Sequence, residues 1–208
     1  MSLSVSRRLR GVASSAAVCT LALGGFAASQ AEASVINLGA CDSSSLSQPF
    51  LAWGDSSSYK LAPGGDFEGP TTDWSLGGAA AVVAGSEPDG VTGSVGSSSL
   101  SLPAGSSAQS PTTCVDAAYP TFRFFARTDK PGSVLAVSAV YQTLLGPTAV
   151  PVGLVTLSGT WSPTLPMLTG SAVGGLLSNG TAPLALRFTE LTGTSQIDDV
   201  FVDPHTMH

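Results

Sequence analysis

The chain has 208 residues, 43% of them hydrophobic, with 8 basic and 14 acidic side chains and a formal net charge of −6. An acidic, lysine-poor chain is a poor match for nucleic acid or for an anionic membrane surface. Abundant Ser, Thr, Gly and Ala alone would suit disorder, but the hydrophobic fraction and the regularly spaced β-branched runs argue for a packed domain.

Residues 1–33 carry the marks of a targeting segment. Arg7, Arg8 and Arg10 form a basic start, the stretch from Gly11 to Ala28 is apolar and uncharged, and Ala31-Glu32-Ala33 supplies a small-x-small cleavage pattern. The reading is a signal peptide and a secreted mature chain beginning at Ser34; the rival is an uncleaved membrane helix of about spanning length. Removal takes away three Arg and Glu32, leaving five basic and thirteen acidic side chains on one domain, residues 34–208. No second apolar run of spanning length follows, so no membrane span is expected in the mature chain.

Val35-Ile36-Asn37-Leu38 reads as a short first strand, and Cys41 to Ser58 as polar and irregular, with Phe50 and Trp53 set among serines. Residues 34–62 form an unusual N-terminal segment. Leu38-Gly39-Ala40-Cys41 has the look of a lipid-attachment box, but it stands a dozen residues beyond the apolar run. Cys19 leaves with the signal, so Cys41 and Cys114 remain, an even pair in an oxidising compartment, and one disulfide is expected.

Tyr59 to Ala62 precedes a Pro63-Gly64-Gly65 turn, then come Asp66-Phe67-Glu68 and a strand from Trp74 to Gly85 around Ala79-Ala80-Ala81-Val82-Val83. Leu100-Ser101-Leu102 alternates, and Thr113 to Val115 and Thr121 to Arg127 follow as strands. In the latter, Phe122, Phe124 and Ala126 share one face, and Arg123, Phe125 and Arg127 the other. Val134 to Gln142 is the longest β-branched run and reads as a central strand. After Val152 to Leu157, residues 162–180 read as mostly loop. Leu184, Leu186 and Phe188 then share a parity, as do Asp198, Val200 and Val202 after a Thr-Gly-Thr turn. About nine or ten short strands without a convincing helix predict an all-β, two-sheet antiparallel β-sandwich.

Catalytic patterns are scarce. His205 and His208 lie in the final tail, no Gly-x-Ser-x-Gly elbow occurs, and no Cys/His spacing suits zinc. Asn179-Gly180-Thr181 fits the glycosylation pattern. Asp66, Glu68, Asp198 and Asp199 are the only route to a glycoside-acting enzyme, which needs two carboxyls at a set separation. Asp198, in parity with apolar residues, needs a cation or several donors. Calcium through Asp66, Glu68 and Asp198, a salt bridge to Arg123 or Arg187, and backbone hydrogen bonds all remain open.

Gly65-Asp66-Phe67-Glu68-Gly69 followed by Trp74, the stretch from Tyr119 to Arg127, Trp161 after a strand, and Ile197-Asp198-Asp199-Val200 occur in that order. This arrangement resembles jelly-roll carbohydrate-binding modules with the galactose-binding-like fold, and the chain is also similar to secreted proteins of actinobacteria. The resemblance implies a non-catalytic domain and a structural calcium shared by Glu68 and Asp198. Cys41 to Ala62 has no counterpart in those modules, and no row of aromatic residues marks a sugar platform.

The expected activity is therefore binding of a polysaccharide or cell-wall glycan outside the cell, with a structural wall or spore-surface role as the rival. Sugar sites combine aromatic faces with polar side chains that fix hydroxyls. The candidates are Arg123, Phe125, Arg127 and Arg187, on the non-core parity of strands read as adjacent. The competing arrangement has this face covered by the N-terminal segment, Phe50 and Trp53 included.

Overall fold

The computed structural model describes Cys41 and residues 45–70, 73–116, 121–143, 145–169 and 181–203. The expected signal peptide, the strand at Val35–Leu38, the Asn179-Gly180 part of the glycosylation pattern and both histidines lie outside these residues. The strands are β1 (Lys60–Leu61), β2 (Ser75–Gly77), β3 (Ala81–Ala84), β4 (Ser98–Pro103), β5 (Ser107–Gln109), β6 (Thr113–Asp116) and β7 (Thr121–Thr128). They continue with β8 (Val134–Thr143), β9 (Gly146–Thr156), β10 (Ser162–Pro163), β11 (Met167–Leu168), β12 (Thr181–Glu190) and β13 (Thr194–Asp203).

These strands make the predicted two-sheet antiparallel jelly-roll sandwich. One sheet runs β10-β7-β13-β4-β3, with β1 beside β13 and β11 beside β7. The other runs β2-β5-β12-β8-β9, with β6 beside β12. The alternation read from sequence sets the inner faces. Phe122, Phe124 and Ala126 of β7 meet Leu184, Leu186 and Phe188 of β12 and Leu135, Val137, Ala139 and Tyr141 of β8 in one core. Burying each large ring there contributes roughly 2–3 kcal/mol. Phe188 stands edge-on to Phe124 at 5.1 Å and stacks against Trp74 at 6.2 Å.

Three elements refine or overturn the expectation. The Trp74–Gly85 run is two strands in different sheets, because Gly78 turns the chain at φ +71, where a side chain would lie 3.2 Å from Ser106. Residues 162–169 are not all loop, since β10 and β11 pair with β7.

The third departure is in β13. Phe125 lies opposite Asp198, but Arg123 lies opposite Phe201, so the ladder gains a residue between them. Asp199 takes up this bulge at φ +47, in the left-handed region uncommon for residues other than glycine. Ile197, Val200 and Val202 consequently face the core, and Asp198 faces outward. Its sequence parity with Val200 and Val202 is broken.

Cys41 is bonded to Cys114 of β6, as expected. The N-terminal segment folds over the outer face of the β7–β13 sheet. A short 3-10 turn at Leu51–Trp53 and a bridge between Ser47 and Tyr59 shape it, and Phe50 anchors it in a second cluster with Tyr59, Phe125 and Phe201.

Candidate functional site

Of the four residues expected to face a ligand, two are covered. The Arg123 guanidinium is buried, lies 4.1 Å above the Phe50 ring and pairs with Asp55 at 2.7 Å; its Nε donates to the Thr164 carbonyl at 2.7 Å. Burial pushes the Asp55 carboxyl up. Hydrogen bonds from Tyr59, the Ser57 amide and Arg123 outweigh that effect and hold it below its ordinary value. Phe125 is fully buried between Phe50, stacked at 5.9 Å, and Trp53, edge-on at 5.3 Å. Arg123 and Phe125 are thus cement between segment and sheet, and the covered-face arrangement holds at this end.

Arg187 is also displaced from the expected group. It lies on β12, in the opposite sheet, where Nε and Nη2 both donate to Gln109 Oε1 at 3.0 and 2.6 Å. Strands β7 and β12 are not neighbours, so the four residues do not form one site.

Arg127 remains on the open half of the β7–β13 face. Its guanidinium lies 5.3 Å from the Trp161 ring, and its Nε donates to Gln196 Oε1 at 2.6 Å. Register places these residues together: Gln196 lies opposite Arg127, and Ser162, next to Trp161, lies opposite Ala126. Trp161 packs its inner edge on the Phe125 cluster, and Trp53 flanks Phe125 with 40% of its surface exposed. A cleft of about 280 Å³ opens beside Arg127, lined by Thr128, Asp129, Pro131, Gly159, Thr194 and Gln196. The arrangement is an aromatic face, a cation stacked on it, and amide, hydroxyl and carboxylate groups at the rim. It can stack on a flat apolar surface and hydrogen-bond to vicinal hydroxyls.

The acidic residues occupy another corner. Asp198 Oδ2 accepts from Ser86 Oγ at 2.7 Å and from the Glu87 amide at 3.0 Å, and Oδ1 accepts from the Asp199 amide at 2.9 Å. Neither Arg123 nor Arg187 reaches it, so of the readings left open the hydrogen-bonded one describes Asp198. Burial raises its pKa to about 6, against the pull of those donors. Asp199 is raised further, to about 8, by burial and then by the charges of Asp198, Glu87 and Asp66. Glu87 in turn accepts the amides of Asp89 and Gly90 at 2.5 and 2.7 Å, which closes the loop over the corner.

The expected calcium trio is not assembled. Glu68 is exposed and bound elsewhere, accepting the amides of Ser97 and Ser98 at 2.6 and 2.7 Å and the Ser97 hydroxyl at 2.7 Å. Those bonds, led by the Ser97 hydroxyl, hold its carboxyl below the ordinary value. Among the described residues, no three His, Cys, Asp or Glu side chains are arranged to hold a metal ion. Asp66, Glu68 and Asp198 are therefore not gathered as a three-carboxylate group.

Sequence reasoning missed Trp161 and Gln196 as partners of Arg127, and Glu87 as the companion of Asp198. For Gln196 the signal was there: it shares strand and parity with Asp198. Glu87 sits in a glycine-rich loop with no periodicity to place it.

No family model and no curated protein matches the chain. Similar solved structures are mostly carbohydrate-binding modules. One comprises the N-terminal family 22 carbohydrate-binding and catalytic modules of a Clostridium thermocellum endo-1,4-β-D-xylanase, complexed with xylohexaose. It matches at a TM-score of 0.49 and 15% identity, over 68% of this chain and 28% of that one. Another is a xylan-binding family 22 module from Paenibacillus barcinonensis, at 0.43 and 13%, over 66% and 90%. An adhesin domain of Lys-gingipain from Porphyromonas gingivalis matches at 0.46 and 13%, over 68% and 96%. The chain thus spans about a quarter of the length of the first and most of the other two.

Proposed function

We propose that this is a secreted, non-catalytic domain that binds a polysaccharide or cell-wall glycan on the open half of the β7–β13 face. The observation that carries the reading is the stack of Arg127 on Trp161 beside Gln196 and a polar cleft. A pyranose laid on the indole would bury its CH groups there and present its hydroxyls to the rim. The buried Cys114 bond to Cys41 fits an oxidising compartment. A glycoside-acting role finds less support, because both Asp198 oxygens are engaged by donors and Glu68 is tied to Ser97 and Ser98.

The test is binding of the purified mature chain to an array of immobilised polysaccharides. Trp161→Ala and Arg127→Ala should each weaken binding about ten-fold or more while leaving the fold intact. Binding to no glycan, or binding indifferent to both substitutions, overturns the reading and leaves the structural wall-protein role. Turnover of a bound glycan would make the chain an enzyme.

A calcium ion is a second reading, for the acidic corner alone. The observation favouring it is that Asp198 and Asp199 are both buried and no cationic side chain contributes to their shifts. Calcium there would draw its further oxygens from the backbone, since no three acidic side chains converge among the described residues. Added calcium should then raise the melting temperature of chelator-treated protein; no response removes the reading.

A further inference from the structure

At the edge where β9 faces β10 and β11 the two sheets leave a pocket between them, although Met167 of β11 reaches Gly153 of β9. The inward row of β7 runs Phe122, Phe124, Ala126, so a ring gives way to a methyl group at the point where the edge opens. Strands β10 and β11 are two residues each, and of the residues between them Thr164 still donates its amide to the Phe124 carbonyl at 2.9 Å. The pocket is about 380 Å³, with Ala126 and Leu157 as its floor, Val155 and Met167 as walls, and Leu154 and Leu165 at its mouth. Its mouth is unusually apolar: Leu154 is 67% and Leu165 82% exposed. None of its lining residues is charged, and the polar ones are Thr156, Ser158, Ser162 and Thr164.

We propose that this inter-sheet pocket binds a small, neutral, largely apolar ligand, separately from the Arg127–Trp161 site on the outer face. A charged ligand would leave water with no opposite charge to meet it. The volume lies at the small end of the range for ligand pockets, which suits a single ring system or short alkyl chain rather than an oligosaccharide. The floor belongs to the core itself, so a ligand here replaces missing packing and stabilises the fold on binding.

The experiment titrates the mature chain with the neutral dye N-phenyl-1-naphthylamine and follows its fluorescence, with displacement by 1-octanol. Saturable one-to-one binding is expected, with a rise in melting temperature. Ala126→Phe should fill the pocket and weaken binding about ten-fold or more. Because that variant changes the core, Thr156→Glu at the exposed rim is the second arm, and it should weaken binding without a loss of stability. Trp53→Ala should leave dye binding unchanged, which keeps this site distinguishable from the glycan face. Absent or non-saturating binding overturns the proposal, as does binding unaffected by Thr156→Glu. So does dye uptake that tracks self-association in sedimentation, since the leucines then seal against a second copy.

Discussion

Raising the pH should unfold this protein from one corner. Asp199 is 3% exposed, held at φ +47, and surrounded by Asp198, Glu87 and Asp66. Its carboxyl binds a proton up to about pH 8 in the folded chain, against roughly 3.9 in an unfolded one. The folded state therefore holds a proton that the unfolded state has released, so stability is full below the unfolded value and is lost as pH rises through about 8. One such proton costs up to about 1.4 kcal/mol per pH unit, falling off as the carboxyl itself titrates, so on the order of 2 kcal/mol between pH 6 and pH 8. For a chain of this size that is a fall in melting temperature of about 4–8 °C.

The assay is thermal unfolding of chelator-treated protein at a series of pH values, with Asp199→Asn in parallel. Asparagine tolerates the left-handed backbone, and its amide keeps the donor that the protonated carboxyl offers Glu87. The variant should match the parent near pH 5 and exceed it at pH 8, with most of the slope gone. A stability that rises with pH over this range, or a slope undiminished in Asp199→Asn, refutes the reasoning.

Three further outcomes follow from packing. Arg123→Ala should destabilise by about 2–3 kcal/mol, because it removes a buried guanidinium from the Phe50 ring, the Thr164 carbonyl and Asp55, which keeps Tyr59 and the Ser57 amide as donors, whereas Arg127→Ala should cost within ~1 kcal/mol; denaturant midpoints separate the two. Gly65→Ala should lose about 1–3 kcal/mol, since its new methyl would sit 2.9 Å from the Val200 carbonyl oxygen and 3.0 Å from that of Ala62; an unchanged midpoint would mean that the bulge yields. Reducing the Cys41–Cys114 bond, which closes a separation of 73 residues, should cost ~4 kcal/mol, read as a lower melting temperature in reductant and no shift in the double Ser variant.

What was legible in the sequence was whatever period two could carry. The rows Phe122-Phe124-Ala126 and Leu184-Leu186-Phe188 point inward as their alternation says, and with them come the sandwich, its antiparallel ladders and the inside and outside of β7. Alternation assigns faces within one strand and is silent about which strands are neighbours. Arg127 and Arg187 share an outward parity but belong to different sheets, so the expected ligand surface was two surfaces. Nor can parity survive an inserted residue.

The bulge at Asp199 connects these failures to function. One extra residue turns Asp198 outward, away from Ile197 and Val200, and brings it under the 86–87 amide and hydroxyl donors. The same residue keeps Phe201 on the outer face, where it joins Phe125 and Phe50 and seats the N-terminal segment over Arg123. Without the bulge, Phe201 would fall on the core side and the segment would lose a wall of its socket. Covering that half of the sheet is what leaves Arg127 and Trp161, rather than Arg123 and Phe125, in reach of solvent.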